Sequence, residues 1–242
     1  MIKFFRKIRQ NLLMENKTGK YLKYAIGEIL LVIIGILIAV SINGWNEDRK
    51  LKKAEQSILK DLKQEMIINK KALEFAIEEN EKSFQTAIEM RALFRDRAAF
   101  DKMSDSLFFE SFRKLNWNVT YDSQNGILNS IISSGQINHL SNKELKYLLA
   151  SLKELTLDAI ENTRKIEAQR DDLIKSAWTS AMIIKDGKNV GLNVKSMYEH
   201  PEFRWATNHL FYFQRKDGLK EEKELAATLE NIIELINENI NK

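Results

Sequence analysis

Hydrophobic residues are distributed along the chain as one continuous run followed by several amphipathic segments. Residues 24–45 read YAIGEILLVIIGILIAVSINGW, with a single charge at Glu28 and an aromatic ring at each end. At about 1.5 Å of rise per residue, a helix of this length is roughly 30 Å long, which matches the hydrocarbon core of a bilayer. The run therefore predicts a transmembrane helix over residues 21–46, with Trp45 in the aromatic belt at one interface.

Residues 1–20 carry a second, basic pattern. Apolar residues can share one face of a helix while Lys3, Arg6, Lys7 and Arg9 lie towards the other. This arrangement is typical of a helix that lies on a bilayer with anionic head groups. Seven Lys or Arg precede the apolar run, whereas the five that follow it closely alternate with acidic residues. The positive-inside rule therefore predicts a cytoplasmic arm and places the rest of the chain beyond the membrane, in the periplasm.

Two features of the run leave alternatives open. Ala39-Val40-Ser41 has small residues at the positions that signal peptidase requires, although the leader and the apolar run are both longer than in a typical signal peptide. Glu28 lies near the cytoplasmic end, where its carboxylate can reach the head groups. The same carboxylate could instead serve a proton or ion relay, or contact a partner helix.

Small residues also form a step along the predicted span. Gly35 and Ala39 are four residues apart, and Gly27 lies two turns earlier on nearly the same face. Glycine and alanine allow two helices to approach closely within a membrane. This face predicts self-association or contact with a protein partner of unknown identity.

Beyond the span, apolar positions recur at steps of three or four residues, and the whole chain has only one proline and nine glycines. This spacing and composition predict an all-α fold, an elongated antiparallel bundle of helices over residues 47–242. The predicted long helices lie at about 47–97, 141–184 and 219–241, and the shorter ones at about 103–115, 123–134 and 202–214.

Local signals punctuate these helices. Ser141 and Glu144 form a capping box that predicts the start of the second long helix, and Gly135 predicts a left-handed stop before it. The apolar stripe of that helix is close to a heptad repeat, which is typical of a coiled coil. Residues 185–194 contain two glycines and predict a loop.

Composition and charge narrow the functional classes. The formal net charge is +4, but seven cations against Glu15 give residues 1–23 a charge of +6, so the remainder is slightly acidic. A basic arm beside a span indicates contact with anionic lipid rather than nucleic acid. The chain has no cysteine, which excludes disulfides and thiolate chemistry.

Motifs of catalysis are absent from the sequence as well. His139, His200 and His209 lack the spacing of a metal site, and no glycine-rich phosphate loop or nucleophile elbow occurs. Acidic pairs on the helices are flanked by Lys or Arg, as on a solvated surface. We therefore expect no cofactor, no metal ion and no enzymatic activity.

Several segments carry a resemblance to a known family. They are YAIGEI at 24–29, IIGILIA at 33–39, INGWNE at 42–47, TYD at 120–122, ISSGQI at 132–137 and NKEL at 142–145. Together they resemble a large family of uncharacterised single-pass membrane proteins from Bacteroidota, of the flavobacterial type. The resemblance implies a bacterial inner-membrane location and a helical domain. It implies no activity, because the family is a domain of unknown function.

Two functions are consistent with these patterns. The first is a membrane-anchored, non-enzymatic interaction or scaffolding protein of the bacterial cell envelope. The second is an extracytoplasmic ligand-sensing domain that signals through a partner membrane subunit. One span and a short arm favour the first, because a sensor would need that partner to pass its signal inward. An aromatic-lined pocket would favour sensing, and an exposed apolar stripe would favour scaffolding.

Overall fold

The structure is a computed structural model that describes residues 18–240, with the backbone alone at residues 18–21 and 24. Helix accounts for 84% of the described residues, which confirms the predicted all-α fold class. The described chain divides into two compact units, and the boundary lies between Glu55 and Gln56.

The helices follow one another with short connections. In chain order they are α1 (Thr18–Leu93), α2 (Arg97–Asp101), α3 (Asp105–Leu115), α4 (Gly126–Ser133), α5 (Lys143–Ala181), α6 (Val194–Glu199), α7 (Pro201–Asn208) and α8 (Arg215–Asn239). A 3₁₀ turn at Gln136–His139 follows α4, and a π-helical segment at His209–Gln214 joins α7 to α8. An antiparallel hairpin of β1 (Met182–Lys185) and β2 (Lys188–Leu192) separates α5 from α6.

Two groups of buried apolar side chains form the core of the second unit. The first core joins α1, α4, α5 and α8 and includes Leu59, Leu62, Met66, Leu73, Leu145, Leu149, Leu229 and Ile232. The second core is rich in aromatic rings and includes Met90, Phe108, Ile166, Met197, Phe203 and Phe211. Because these side chains recur every three or four residues, each long helix buries one face. Each large side chain buried in this way contributes roughly 1.5–3 kcal/mol.

The caps around α5 differ from the prediction in one detail. Gly135 has φ +75°, which confirms the left-handed stop after α4. The N-cap of α5 is Asn142, whose side-chain oxygen accepts a hydrogen bond from the Leu145 N–H at 3.0 Å. The prediction of Ser141 as the N-cap is therefore wrong by one residue. Both residue types cap helices well, and the helix begins at the second of them.

The hairpin replaces the loop predicted for residues 185–194, and α5 ends at Ala181 rather than near residue 184. Asp186 has φ +50° and Gly187 has φ +72°. Left-handed values at both central positions are those of a type I′ turn, for which Asp-Gly is a favoured pair. The loop prediction is wrong because it took the glycines as breakers and overlooked the β-branched residues on both sides of this turn.

Candidate functional site

The first unit contains the predicted membrane span. From Ala25 onward, α1 is long and apolar enough to cross a membrane, and no residue of its most apolar stretch is buried against the rest of the described chain. Trp45 is exposed in the same way. The four predicted arm residues Lys3, Arg6, Lys7 and Arg9 lie outside the described residues.

The small-residue face of the span has room for a neighbour. A Cβ added at Gly27 or at Gly35 would meet no atom within 4 Å in the described part of the chain. Ala39 is exposed, and Glu28 is half-buried. Among the described residues, none fills the space beside the two glycines in a single copy of the chain, as helix pairing requires.

Buried polar side chains lie in the second unit where the first core meets the second. We call them the polar layer, and its members are Asn80, Ser83, Thr163, Arg215 and Glu222. On α1, Asn80 and Ser83 lie between the buried residues of the first core and those of the second core. Thr163 lies between the two cores on α5 in the same way. The Thr163 hydroxyl donates to Glu222 of α8, so three long helices carry polar groups at this level of the bundle.

Arg215 is the largest side chain of the polar layer and is only 1% exposed. Its Nη2 donates to Asn118 Oδ1 at 2.6 Å and to the Trp117 carbonyl at 3.5 Å. Its Nε and Nη1 donate to no described residue. The pKa of Arg215 is lowered to about 10, mainly by burial; the nearby Arg170 adds to this shift, and the Glu222 carboxylate opposes it. The side chain therefore remains a buried cation at neutral pH.

Glu222 is the acidic partner in this layer. Its Oε1 accepts a hydrogen bond from the Thr163 hydroxyl at 2.6 Å, whereas its Oε2 has no partner among the described residues. Burial raises the pKa of Glu222, and the Thr163 hydroxyl, the Arg215 cation and the Asn80 amide each act to lower it. Arg215 and Glu222 each keep a buried polar atom that no described residue satisfies. Each charge favours the charged form of the other, so each lowers the cost of burying the other.

Helices α5 and α8 approach closely beside this pair because α8 has a glycine there. A Cβ added at Gly218 would lie 3.0 Å from the Asn162 Cβ and 3.6 Å from the Thr163 Oγ1. Across the same contact, Asn162 Nδ2 donates to Glu221 Oε2 at 2.9 Å. Gly218 therefore sets the separation at which the Thr163 hydroxyl reaches the Glu222 carboxylate.

Asparagine side chains on α1 hold the irregular segment that follows α3. Asn80 pairs with both backbone groups of Val119, at 2.9 and 3.0 Å, and Asn69 pairs with both backbone groups of Gln124, at 2.7 and 2.8 Å. An amide side chain offers one donor and one acceptor, so it can bind an extended residue as a neighbouring strand would. These bonds satisfy backbone groups that have no helix or sheet partner.

Glu65 acts in a similar way at the start of α4. Its two carboxylate oxygens accept hydrogen bonds from the backbone N–H groups of Ile127 and Leu128, at 2.7 and 2.9 Å. The N-cap residue of α4, Asn125, makes no side-chain cap. A carboxylate from a different helix therefore provides the cap and complements the positive end of the α4 dipole.

An exposed row of aromatic rings runs along α7 and the π-helical segment. Trp205 stacks on His209 with ring centroids 4.7 Å apart, and His209 lies 6.2 Å from Phe213. Trp205 is 45% exposed and Phe213 is 50% exposed. The guanidinium of Arg91 lies 3.5 Å from the ring centroid of Tyr212, next to the row, and its Nε donates to Asn208 Oδ1 at 2.7 Å. The backbone beneath the row is therefore held by specific contacts.

An open groove of about 860 Å³ lies between α1 and α3. Most of its lining side chains are charged, and several of these already form ion pairs, such as Lys82 with Glu78 and Lys114 with Glu110. Leu107 and Trp117 are its large apolar residues. Its volume suits a small ligand, but its lining differs from the mostly apolar and aromatic walls of typical ligand pockets.

Comparison with known families identifies the chain. A family of unknown function, DUF6090, has a sequence model that matches residues 28–203. The chain belongs to this family. No curated protein and no solved structure is significantly similar to it. The DUF6090 match begins within the predicted membrane span and ends in α7, so it includes the hairpin and excludes α8.

In this DUF6090 protein, sequence reasoning missed the polar layer and the side chains that hold the irregular segment. A signal for them was present, because Glu65, Asn69, Asn80 and Ser83 continue the same three- or four-residue steps as the buried apolar residues of α1. Polar residues in an apolar stripe indicate buried hydrogen bonds. Among residues 18–240, no group of three or more His, Asp or Glu side chains is placed to hold a metal ion.

Proposed function

We propose that this chain is a membrane-anchored, non-enzymatic interaction or scaffolding protein of the bacterial cell envelope. The exposed aromatic row of Trp205, His209 and Phe213 is the observation that carries the proposal. Exposed aromatic side chains held on a firm backbone are typical anchors of protein interfaces. Trp205 and His209 stack on each other and present their edges to a partner, whereas the ring of Phe213 is tilted against His209.

The proposed location is the inner membrane of a bacterium of the Bacteroidota type. In this proposal the basic arm contacts anionic lipid on the cytoplasmic side, and the second unit lies in the periplasm. The distribution of Lys and Arg around the span and the resemblance of its flanking segments support this orientation. The partner is a protein, either a second copy of this chain or a different envelope protein, and no nucleic acid is involved.

A fusion experiment tests the orientation. We expect alkaline phosphatase attached after Lys242 to be active in cells, because the enzyme folds only outside the cytoplasm. A green fluorescent protein attached at the same point should remain dark. A fluorescent fusion together with an inactive phosphatase would contradict the periplasmic location.

Photo-crosslinking tests the aromatic row. We expect benzoylphenylalanine in place of Phe213 to crosslink to a protein in native membranes, and we expect Trp205→Ser to reduce the yield several-fold because it removes a neighbouring anchor. The same photoreactive residue in place of Tyr147, which is exposed on α5, is the control and should give no such product. A crosslink to a second copy would identify a homo-oligomer, and equal yields with and without Trp205 would contradict the proposal.

Ligand sensing through a partner subunit remains the second candidate, and the groove between α1 and α3 supports it. The groove is large enough for a small molecule, and Trp117 at its edge is more than half exposed. Because several of its charged side chains already form ion pairs within their own helices, a ligand would have to compete with those ion pairs. The interaction function is therefore the better supported of the two.

A further inference from the structure

The hairpin between α5 and α6 projects from the second core. At its base, the Asn193 N–H donates to the Ala181 carbonyl at 2.7 Å, and Leu192 packs against the second core. From residue 183 to residue 190 every side chain is exposed. A two-stranded hairpin without a third strand or a packed face has little stability of its own. The hairpin therefore exposes surface that is unlike the rest of an α-helical domain.

Part of the exposed surface of the hairpin is apolar. Ile184 and Val190 are each 56% exposed, and Ile183 is 40% exposed. Val190 has no residue opposite it, because Ile183 pairs with Gly191 and Ile184 pairs with Asn189. Such a bulge turns a side chain away from its regular direction. Three β-branched apolar residues are thus held in solvent within one short element.

The turn end of the hairpin is basic. Lys185 and Lys188 lie directly opposite each other in the register, and both are exposed. Like charges at directly opposed positions are unfavourable in a hairpin. An anionic surface would offset this repulsion and would at the same time accept the adjacent apolar side chains.

We propose that this hairpin binds the surface of an anionic lipid bilayer. The charges at the turn, Lys185, Asp186 and Lys188, exclude entry of the tip into the hydrocarbon. The hairpin instead lies along the surface, with its lysines at the lipid phosphates and its isoleucine and valine side chains among the upper parts of the acyl chains. The site is separate from the aromatic row, so it does not depend on the proposed protein partner.

An added β-strand is the main alternative occupant, and the hairpin is poorly built for it. The Gly191 N–H already donates to Asn189 Oδ1 at 3.1 Å, and the bulge at Val190 interrupts the pairing pattern of β2. Strand β1 has only four residues. A partner strand would therefore find a short and irregular edge on either side.

A fluorescent label on the hairpin tests the proposal, and the absence of cysteine from the chain makes labelling specific. The full chain with Ile184→Cys carries the polarity-sensitive dye NBD and is placed in nanodiscs of phosphatidylcholine, with or without phosphatidylglycerol. Vesicles of the same two compositions are then added. The emission of the dye should shift to shorter wavelengths when phosphatidylglycerol is present in the disc or in the added vesicles. With phosphatidylcholine alone, the emission should remain at the wavelength seen in water.

Two pairs of substitutions separate charge from apolar contact. Lys185→Gln with Lys188→Gln should weaken the response to phosphatidylglycerol about tenfold or more, since each lysine near an anionic surface favours binding. Ile183→Ser with Val190→Ser should leave the dye in water even when the lipid is anionic. The matched control is Lys216→Gln with Lys220→Gln on the exposed side of α8, which should have no effect.

The same samples show which results would overturn the proposal. Far-UV circular dichroism, together with the tryptophan emission to which the partly buried Trp178 contributes, reports whether each variant is folded. A folded chain whose dye keeps its emission wavelength in water, with phosphatidylglycerol in the nanodisc and also in the added vesicles, would overturn the proposal. A blue shift that depends on protein concentration rather than on lipid would also overturn it and would identify a second copy as the occupant.

Discussion

Replacement of Arg215 by methionine is expected to destabilise the second unit by about 3–5 kcal/mol, because it leaves the buried Glu222 without its cationic neighbour. The variant also loses the hydrogen bond from the guanidinium to Asn118 Oδ1. Urea unfolding of the detergent-solubilised chain, followed by tryptophan fluorescence, measures the change. Arg170→Met, at a half-buried position near the layer, is the comparison and should cost much less.

The double variant Arg215→Met with Glu222→Leu should recover most of this stability. Removal of both charges leaves apolar side chains of similar volume where the two cores meet, and replacement of two opposite buried charges by apolar side chains is often neutral or stabilising. If the two single changes prove additive in the double variant, Arg215 and Glu222 do not stabilise each other in the folded state.

The free energy of unfolding of the Arg215→Met variant should also depend more steeply on pH. Burial already raises the pKa of Glu222 above its ordinary value of 4.5, and loss of the guanidinium raises it further. A carboxyl whose pKa is raised by folding stabilises the folded state while it is protonated and loses that contribution as the pH rises. The extra loss of stability should therefore begin above pH 4.5 and level off above the raised pKa of the folded state.

Substitution of Gly218 by valine is expected to cost about 3 kcal/mol, because its Cβ would lie 3.0 Å from the Asn162 Cβ. The Asn162 Cβ is attached directly to the backbone of α5, so it can move only if the helix moves. Such a movement would also separate the Thr163 hydroxyl from Glu222. Urea unfolding measures this change as well. The matched control is Lys216→Val, at an exposed position of the same helix, which should change stability by about 0.5 kcal/mol or less.

A second substitution tests whether contact with Asn162 is the cause. Asn162→Gly removes the opposing Cβ, so in combination with Gly218→Val it should cost less than the sum of the two single changes. Equal stability of Gly218→Val and Lys216→Val would mean that the approach of α5 and α8 does not depend on this glycine.

The local sequence pattern was sufficient to predict a structural feature where that feature depends only on neighbouring residues. The apolar run at residues 24–45, the steps of three or four residues on the helices and the left-handed conformation of Gly135 are all properties of short stretches. The Asp-Gly turn of the hairpin belongs to the same class, and a stricter reading of its flanking residues would have found it. The N-cap of α5 was missed by one residue, because two good capping residues stand side by side there.

The roles of side chains that contact residues far away in the sequence could not be predicted from local pattern. Glu65 caps a helix that begins about sixty residues later, and Asn80 binds the backbone of Val119. A polar residue in an apolar stripe indicates that some buried partner exists, but the pattern does not say which one. The partner is defined only when the two segments are packed together.

By itself, the sequence determined the class of the fold, the helix suited to a bilayer and the faces that each helix buries, because hydrophobic spacing and composition act locally. Only the tertiary structure decided that Arg215 and Glu222 lie at the level of Asn80 and Thr163, and that Gly218 lets α5 and α8 approach. The physical reason is that burial of a charge or a close approach of two backbones depends on residues far apart in sequence, which become neighbours only when the long helices pack.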